Sequence, residues 1–375
     1  LIFTKIGGLI SRKFKMPEVL GALIAGVIIG PAVLNLVQYD SSIKLLSNIG
    51  VIMLMFLAGI ETDIEKFKKA GFSSFIIACC GVIVPLILGT LNAFLFFHNF
   101  FENIFIGTIL TATSVSITAE TLTEMGKLNT KAGINILGAA VIDDILGLAL
   151  ISFIFALSKS QSSIAFIFPL IFKISLFCII SVLAIIFVPK IADRYSDYIK
   201  PSGTLITFII AFGLIFAFFA EKIGIAAITG AFMAGLAISA FPYKIYVKRN
   251  IKTISLSFLS PIFFASVGIE ANFKGLNLET FLITLLMFFT AVIGKIIGCS
   301  GAARILKMGK RESLEIGTGM VSRGEVAIIT ANIGLQNRII SEEVFIPTLI
   351  VVILTTIITP VLLKLSFSNK TKIKS

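Results

Sequence analysis

Gly21-Ala22-Leu23-Ile24-Ala25-Gly26-Val27-Ile28-Ile29 returns 209 residues later as Gly230-Ala231-Phe232-Met233-Ala234-Gly235-Leu236-Ala237-Ile238. Small residues four apart let one apolar helix pack closely on another inside a membrane, so a single copy is weakly informative. The register is stronger. Gly59-Ile60-Glu61 returns at the same offset as Gly268-Ile269-Glu270, and Gly107-Thr108 returns as Gly317-Thr318 at an offset of 210. Three matches within one residue of a common register mark an internal repeat that covers most of the chain.

Composition identifies the solvent of these helices. Of the 375 residues, 57% are hydrophobic and 14% charged, and the mean hydropathy is +1.04. A soluble domain carries about 25% charged residues, so this chain cannot cover itself with polar surface. Apolar runs between charged or Pro/Gly breaks fall at 1–10, 19–37, 43–60, 71–97, 103–119, 132–157, 164–189, 203–220, 223–241, 253–269, 276–303, 313–335 and 344–366. About 20 apolar residues cross a bilayer as a helix. The pattern predicts an all-α polytopic membrane protein with about 13 transmembrane helices. Span one is short and the chain starts at Leu1, so part of that helix is expected to precede residue 1. A signal peptide does not fit, because Arg12, Lys13 and Lys15 follow the first apolar run. The tail after span thirteen is too short for a soluble regulatory domain.

Of the 32 Lys and Arg residues, 23 fall in loops after odd-numbered spans or in the C-terminal tail. Five fall after even-numbered spans: Lys44, Lys159, Lys222, Lys274 and Arg338. Positive charge accumulates on the cytoplasmic side, which places the N-terminus outside and the C-terminus in the cytoplasm. The net charge of +12 is therefore sorted by membrane side. It does not argue for nucleic acid, since the aromatics sit in apolar runs. A single histidine, His98, argues against His-ligated metals and Ser-His-Asp hydrolysis. Cys79, Cys80, Cys178 and Cys299 have neither metal-ligand spacing nor a disulfide framework.

Each repeated motif links span n to span n+7. Seven is odd, so spans one to six and eight to thirteen are expected to be inverted in the membrane, with span seven between them. Such inverted-topology repeats belong to secondary transporters, whose sites lie near mid-membrane at helices that lose their regularity. Two stretches are suited to that. Thr111-Ala112-Thr113-Ser114-Val115-Ser116-Ile117-Thr118 holds five hydroxyls. Its repeat mate is Gly317-Thr318-Gly319-Met320-Val321-Ser322-Arg323-Gly324-Glu325, with Ser322 in the register of Thr113. Side-chain oxygens, glycine and water can re-satisfy a broken backbone there.

Ionisable residues at bilayer depth are costly and are candidates for function. Asp143 and Asp144 stand in mid-span six. Neighbours on a helix point about 100° apart, so the two serve different partners. A carboxylate there can trade a proton for a hard cation held by oxygen. Lys295, deep in span eleven, is the natural counter-ion, or it snorkels to the inner surface two turns away. Arg323 and Glu325 lie two apart and do not face each other; they trim charge at the broken-helix ends or line an inner funnel.

Ala139-Ala140-Val141-Ile142-Asp143-Asp144-Ile145-Leu146, Thr111–Ala119, Phe258–Glu270, Gly294-Lys295-Ile296-Ile297-Gly298 and Arg323-Gly324-Glu325-Val326 together resemble the NapA-type sodium/proton antiporters. These form part of the second branch of the monovalent cation:proton antiporter superfamily. The resemblance spans essentially the whole chain. It implies a non-enzymatic homodimer in a prokaryotic cell membrane, with an NhaA/NapA-like fold of crossed broken helices. Residues 1–60 and 203–270 would form a scaffold and dimerisation domain, 164–190 a linker helix, and 71–157 with 276–366 an ion-carrying core. Asp144 would alternately bind cation and proton, Asp143 would pair with Lys295, and Thr113 and Ser114 would lie beside the ion. No cofactor is implied: Na+ and H+ are the transported substrates. The short first span and the glycine-free break in span five depart from the pattern. The potassium-efflux Kef branch is similar elsewhere but usually carries Gln-Asp where this chain has Asp143-Asp144. A sodium-coupled solute symporter is a further alternative; a cation channel is another, but the repeated pore loops or acidic rings typical of channels are not visible in this sequence.

Overall fold

The structure, a computed structural model, describes residues 1–158, 163–194, 200–270 and 278–368. All regular elements among the described residues are helical. The first repeat supplies α1 (Ile2–Lys13), α2 (Glu18–Ile29), α3 (Ser41–Glu61), α4 (Ile64–Ala93), α5 (Phe100–Ile109), α6 (Val115–Glu124) and α7 (Lys131–Ser158). After α8 (Ser163–Arg194) come α9 (Gly203–Ile223), α10 (Ala227–Ile238) and α11 (Lys244–Ile254). A π-helical turn at Ser255–Leu259 carries α11 into α12 (Ser260–Ile269). Then follow α13 (Leu278–Ile305), α14 (Lys310–Gly319), α15 (Glu325–Gln336) and α16 (Glu342–Ser368). Among the described residues, eight helices are long and apolar enough to cross a membrane, with α11 and α12 taken as one; α2, α5, α10 and most of α15 are shorter apolar helices.

Helix ends depart from the apolar runs where capping decides. Span two stops at Ile29, not 37, because Gly30-Pro31 cannot prolong it. α4 starts seven residues before its apolar run, at Ile64. The Asp63 carboxylate accepts the backbone N–H groups of Glu65 and Lys66 at 3.1 and 3.2 Å and fixes that start. Spans five and twelve are each two short helices, α5/α6 and α14/α15.

The packing follows the repeat register. A side-chain carbon at Gly26 would meet the carbonyl of Ala265, and one at Gly235 would meet that of Phe56. Ala265 and Phe56 are themselves 209 apart. Gly268 lies in the same way against the Leu23 carbonyl, and Gly59 against that of Phe232. Thus α2 crosses α12 as α10 crosses α3. At an offset of 210, Gly107 faces the Leu86 carbonyl and Thr90 hydroxyl, while Gly317 faces the Ile296 carbonyl and Ser300 hydroxyl. These glycines are needed for space: any Cβ would collide with backbone.

The densest contacts fall into two sets. In one, α2 and α12, α3 and α10, and α9 and α10 pack together; in the other, α4 packs on α5, α7 and α13, and α14 and α16 pack on α13. α8 touches both sets, through α7 and α10. α3 and α2 meet α6 and α16 more lightly where the sets adjoin. α1 turns Ile2, Phe3, Ile6 and Leu9 outward and buries Thr4, Gly8 and Ser11 against its neighbours.

A candidate ion site at two broken helices

The chain loses helical form at 110–114 and again at 320–324, and the two breaks meet. The Ser114 N–H donates to the Ser322 carbonyl at 2.8 Å. The Thr118 hydroxyl donates to the Gly319 carbonyl, also at 2.8 Å. A Cβ at Gly324 would strike the Ser114 side chain, so this crossing needs glycine. α16 supplies the remaining partners. The Arg323 N–H donates to Thr355 Oγ1 at 3.3 Å, and the Thr356 hydroxyl donates to the Arg323 carbonyl at 2.8 Å. Backbone groups that a break exposes in an apolar setting are thereby paired again.

Asp143 and Asp144, midway along α7, go to different partners. Lys295 Nζ of α13 donates to Asp143 Oδ1 at 2.8 Å, and both side chains are essentially sealed from solvent. Asp144 Oδ2 accepts the hydroxyl of Thr229, on α10, at 2.6 Å. Arg323 is also fully buried; its guanidinium donates to the Ala291 carbonyl, one turn before Lys295, at 3.0 Å. Its Nε and Nη1 have no hydrogen-bond partner. Glu325 opens α15, and its side chain lies outside the described residues. Ser114 Oγ lies 3.2 Å from Ser116 Oγ.

Three buried oxygens, Thr113 Oγ1, Asp143 Oδ2 and Ser322 Oγ, lack a hydrogen-bond partner. Buried oxygens of this kind are costly unless something pairs them, and hydroxyl and carboxylate oxygens suit a hard cation. No group of three or more His, Cys, Asp and Glu is gathered among the described residues, so no tight multivalent metal cage is formed there.

Thr229, Thr355 and Thr356 were not singled out by sequence reasoning. The one available signal for Thr229 was asymmetry: it heads the second copy of the Gly-Ala stretch where the first copy has Leu20. The acids are asymmetric too, with Val352 and Ile353 at the positions 209 after them. A cavity of about 630 Å³ lies apart from these residues, where the two packing sets adjoin. Arg12, Glu18, Glu120, Glu124, Lys252 and Lys364 are among its walls.

The family described as "Sodium/hydrogen exchanger, transmembrane" matches residues 1–365. The chain belongs to the sodium/hydrogen exchanger family. It is 41% identical over 367 residues to the probable Na+/H+ antiporter GerT of Bacillus cereus, covering 98% of this chain and 97% of that one. It is 38% identical over 372 residues to the Na+/H+-K+ antiporter GerN of the same organism, covering 99% and 95%. Among solved structures, the sodium proton antiporter MjNhaP1 of Methanocaldococcus jannaschii has the same fold, with a TM-score of 0.72 at 17% identity and coverage of 100% and 97%. The exchanger is thus a multi-pass membrane transporter of the monovalent cation:proton antiporter superfamily, not an enzyme. Its ions are substrates and it needs no cofactor. Exchange of a monovalent cation for protons accounts for the chain, and the symporter, Kef and channel alternatives are not favoured.

Proposed function

We propose that Asp144 is the exchanging group, binding a monovalent cation, sodium foremost, and a proton in turn as it becomes accessible to one side of the membrane at a time. The observation that carries this reading is the division of labour on α7. Asp143 is held in an ion pair by Lys295, whereas Asp144 Oδ2 accepts the hydroxyl of Thr229 on α10. The acid held in the ion pair serves the structure, and the acid next to it takes the exchanging role. Thr113, Ser114 and Ser322 at the crossing supply neutral oxygens beside it, while Arg323 and Glu325 balance charge at the broken ends. In this scheme residues 1–60 and 203–270 stay fixed and pair two copies as a homodimer. Residues 71–157 and 276–366 move against them, with 164–190 as the link. The protein lies in the cell membrane with its N-terminus outside. The polar-walled cavity on the lysine-rich side supports entry of ions from the cytoplasm.

Asp144→Asn keeps the shape of the side chain but removes the ability to hold a proton or neutralise a cation. In proteoliposomes this variant should show no sodium-driven proton movement while melting like the parent protein. Robust exchange by Asp144→Asn would refute the assignment. Potassium is a second candidate cation, because GerN is named a Na+/H+-K+ antiporter. Substituting potassium for sodium in the same assay decides between them.

A further inference from the structure

The cavity of about 630 Å³ where the two packing sets adjoin is lined by an acid that the exchange scheme does not use. Glu120, Thr123 and Glu124 stand three and four residues apart on α6, so they share one face of that helix, and all three line the cavity. Glu124 is engaged: its Oε2 and Oε1 accept the backbone N–H groups of Glu18 and Val19, at the start of α2, at 2.6 and 3.2 Å. Glu120, by contrast, is only 5% exposed, and among the described residues no hydrogen bond or ion pair reaches its carboxylate.

The cations nearby are committed to other partners. Arg12 pairs with Glu18, Lys252 lies 3.8 Å from Glu61, and Lys364 and Lys5 donate to the carbonyls of Lys15 and Leu256. Lys15 is exposed at the rim. The cations whose charge reaches Glu120 are Lys5 and Lys252, and the acids are Glu61 and Glu124. Two cations thus face two acids, and Glu120 is left over. A carboxylate withdrawn from bulk water and given no donor is costly unless something neutralises it.

We infer that Glu120, with the Thr123 hydroxyl one turn on, forms a capture site for a hydrated monovalent cation on its way to the crossing. This rests on the reading that ions enter through this cavity from the cytoplasm. Carboxylate and hydroxyl oxygens suit a hard cation. A water occupies about 30 Å³, so the cavity admits the ion together with its water shell. Two protein groups replace only part of that shell, and the ion is held loosely enough to move on. Glu120 follows Ser114 by six residues, about 9 Å along the axis of α6. The ion therefore waits a short step from Thr113, Ser114 and Ser322. A negatively charged wall in a cleft raises the local concentration of cations about ten-fold or more. The device is one-sided: 209 residues after Glu120, the inverted copy has Ile329.

Two measurements test it. In detergent, sodium chloride should raise the melting temperature of Asp144→Asn above its value in equal choline chloride, because a ligand bound only to the folded protein stabilises it. Adding Glu120→Gln should abolish that rise, and adding Thr123→Val should reduce it. In proteoliposomes, Glu120→Gln in the otherwise native chain should raise the sodium KM about ten-fold at the cytoplasmic face alone, with kcat at saturating sodium unchanged. Glu120→Asp should recover most of that KM. Absence of a sodium-dependent rise in Asp144→Asn, or a rise that survives Glu120→Gln, would overturn the inference. So would a KM that is unchanged, or altered equally at both faces. Should Glu120→Gln fail to fold, an undiminished sodium response with Thr123→Val overturns it instead. The melting test does not depend on sidedness, which keeps the two failures apart. If the rise depends on Glu120 but KM changes only at the outer face, the orientation falls and the capture site stands. If the rise does not depend on Glu120, the capture site falls whatever the orientation.

Discussion

At the scale of single residues, the Asp143–Lys295 pair matters for stability as well as exchange. Desolvating two charges costs as much as their attraction returns, so the intact pair adds little. Removing one partner strands the other and costs about 3–5 kcal/mol. Lys295→Ala should therefore both impair exchange and lower the melting temperature. Asp143→Asn combined with Lys295→Gln should recover part of that loss, because no charge is left stranded. The coupling between the two sites should amount to about 0.5–3 kcal/mol; strictly additive melting shifts would mean that the pair does not matter energetically. Asp143, Asp144, Lys295 and Arg323 could be found from sequence because a charge in an apolar span is expensive and so conspicuous. Thr229, Thr355 and Thr356 could not. A hydroxyl in a membrane helix satisfies itself on the preceding turn, as Thr355 does on the Val351 carbonyl at 2.8 Å. Its other contacts then leave no trace in composition.

At the scale of elements, the structure turns on helix crossings where backbone lies on backbone. Gly26 in α2 and Gly235 in α10 occupy equivalent crossings. Gly26→Val and Gly235→Val should each destabilise the exchanger by at least 1–3 kcal/mol, the usual cost of overpacking. Melting in detergent should show the two losses to be of similar size. Gly71, in α4, is the contrast: a Cβ there meets nothing within 4 Å. Gly71→Ala should stabilise by about 0.4–1 kcal/mol, since alanine restricts the unfolded chain and favours the helix. A Gly26→Val variant as stable as Gly71→Ala would contradict the crossing. The repeat was readable in sequence because these glycines are irreplaceable. The extra turns at the start of α4 were not, because the Asp63 cap, not hydropathy, places them.

At the scale of the whole molecule, charge sorting across loops sets orientation, and orientation can be checked without transport. In a cysteine-free background, single cysteines at Lys248 and Gly309 should react with an impermeant thiol reagent only from the cytoplasm. One at Lys44 should react only from outside. The opposite pattern would reverse the topology. The main crossings, α2 with α12, α3 with α10 and α4 with α13, each join one half of the chain to the other. Neither half can bury its packing faces alone. The ion pair is divided in the same way: Lys295 follows Asp143 by 152 residues. A ribosome adding about 5–20 residues per second needs roughly 8–30 s to cover that distance. Throughout that interval α7 has been synthesised and the lysine that will neutralise it has not. Biogenesis thus passes through a stage in which the nascent helix carries Asp143 without its partner and must wait beside the insertion machinery. The timing of translation between the two halves is therefore part of how this exchanger is assembled.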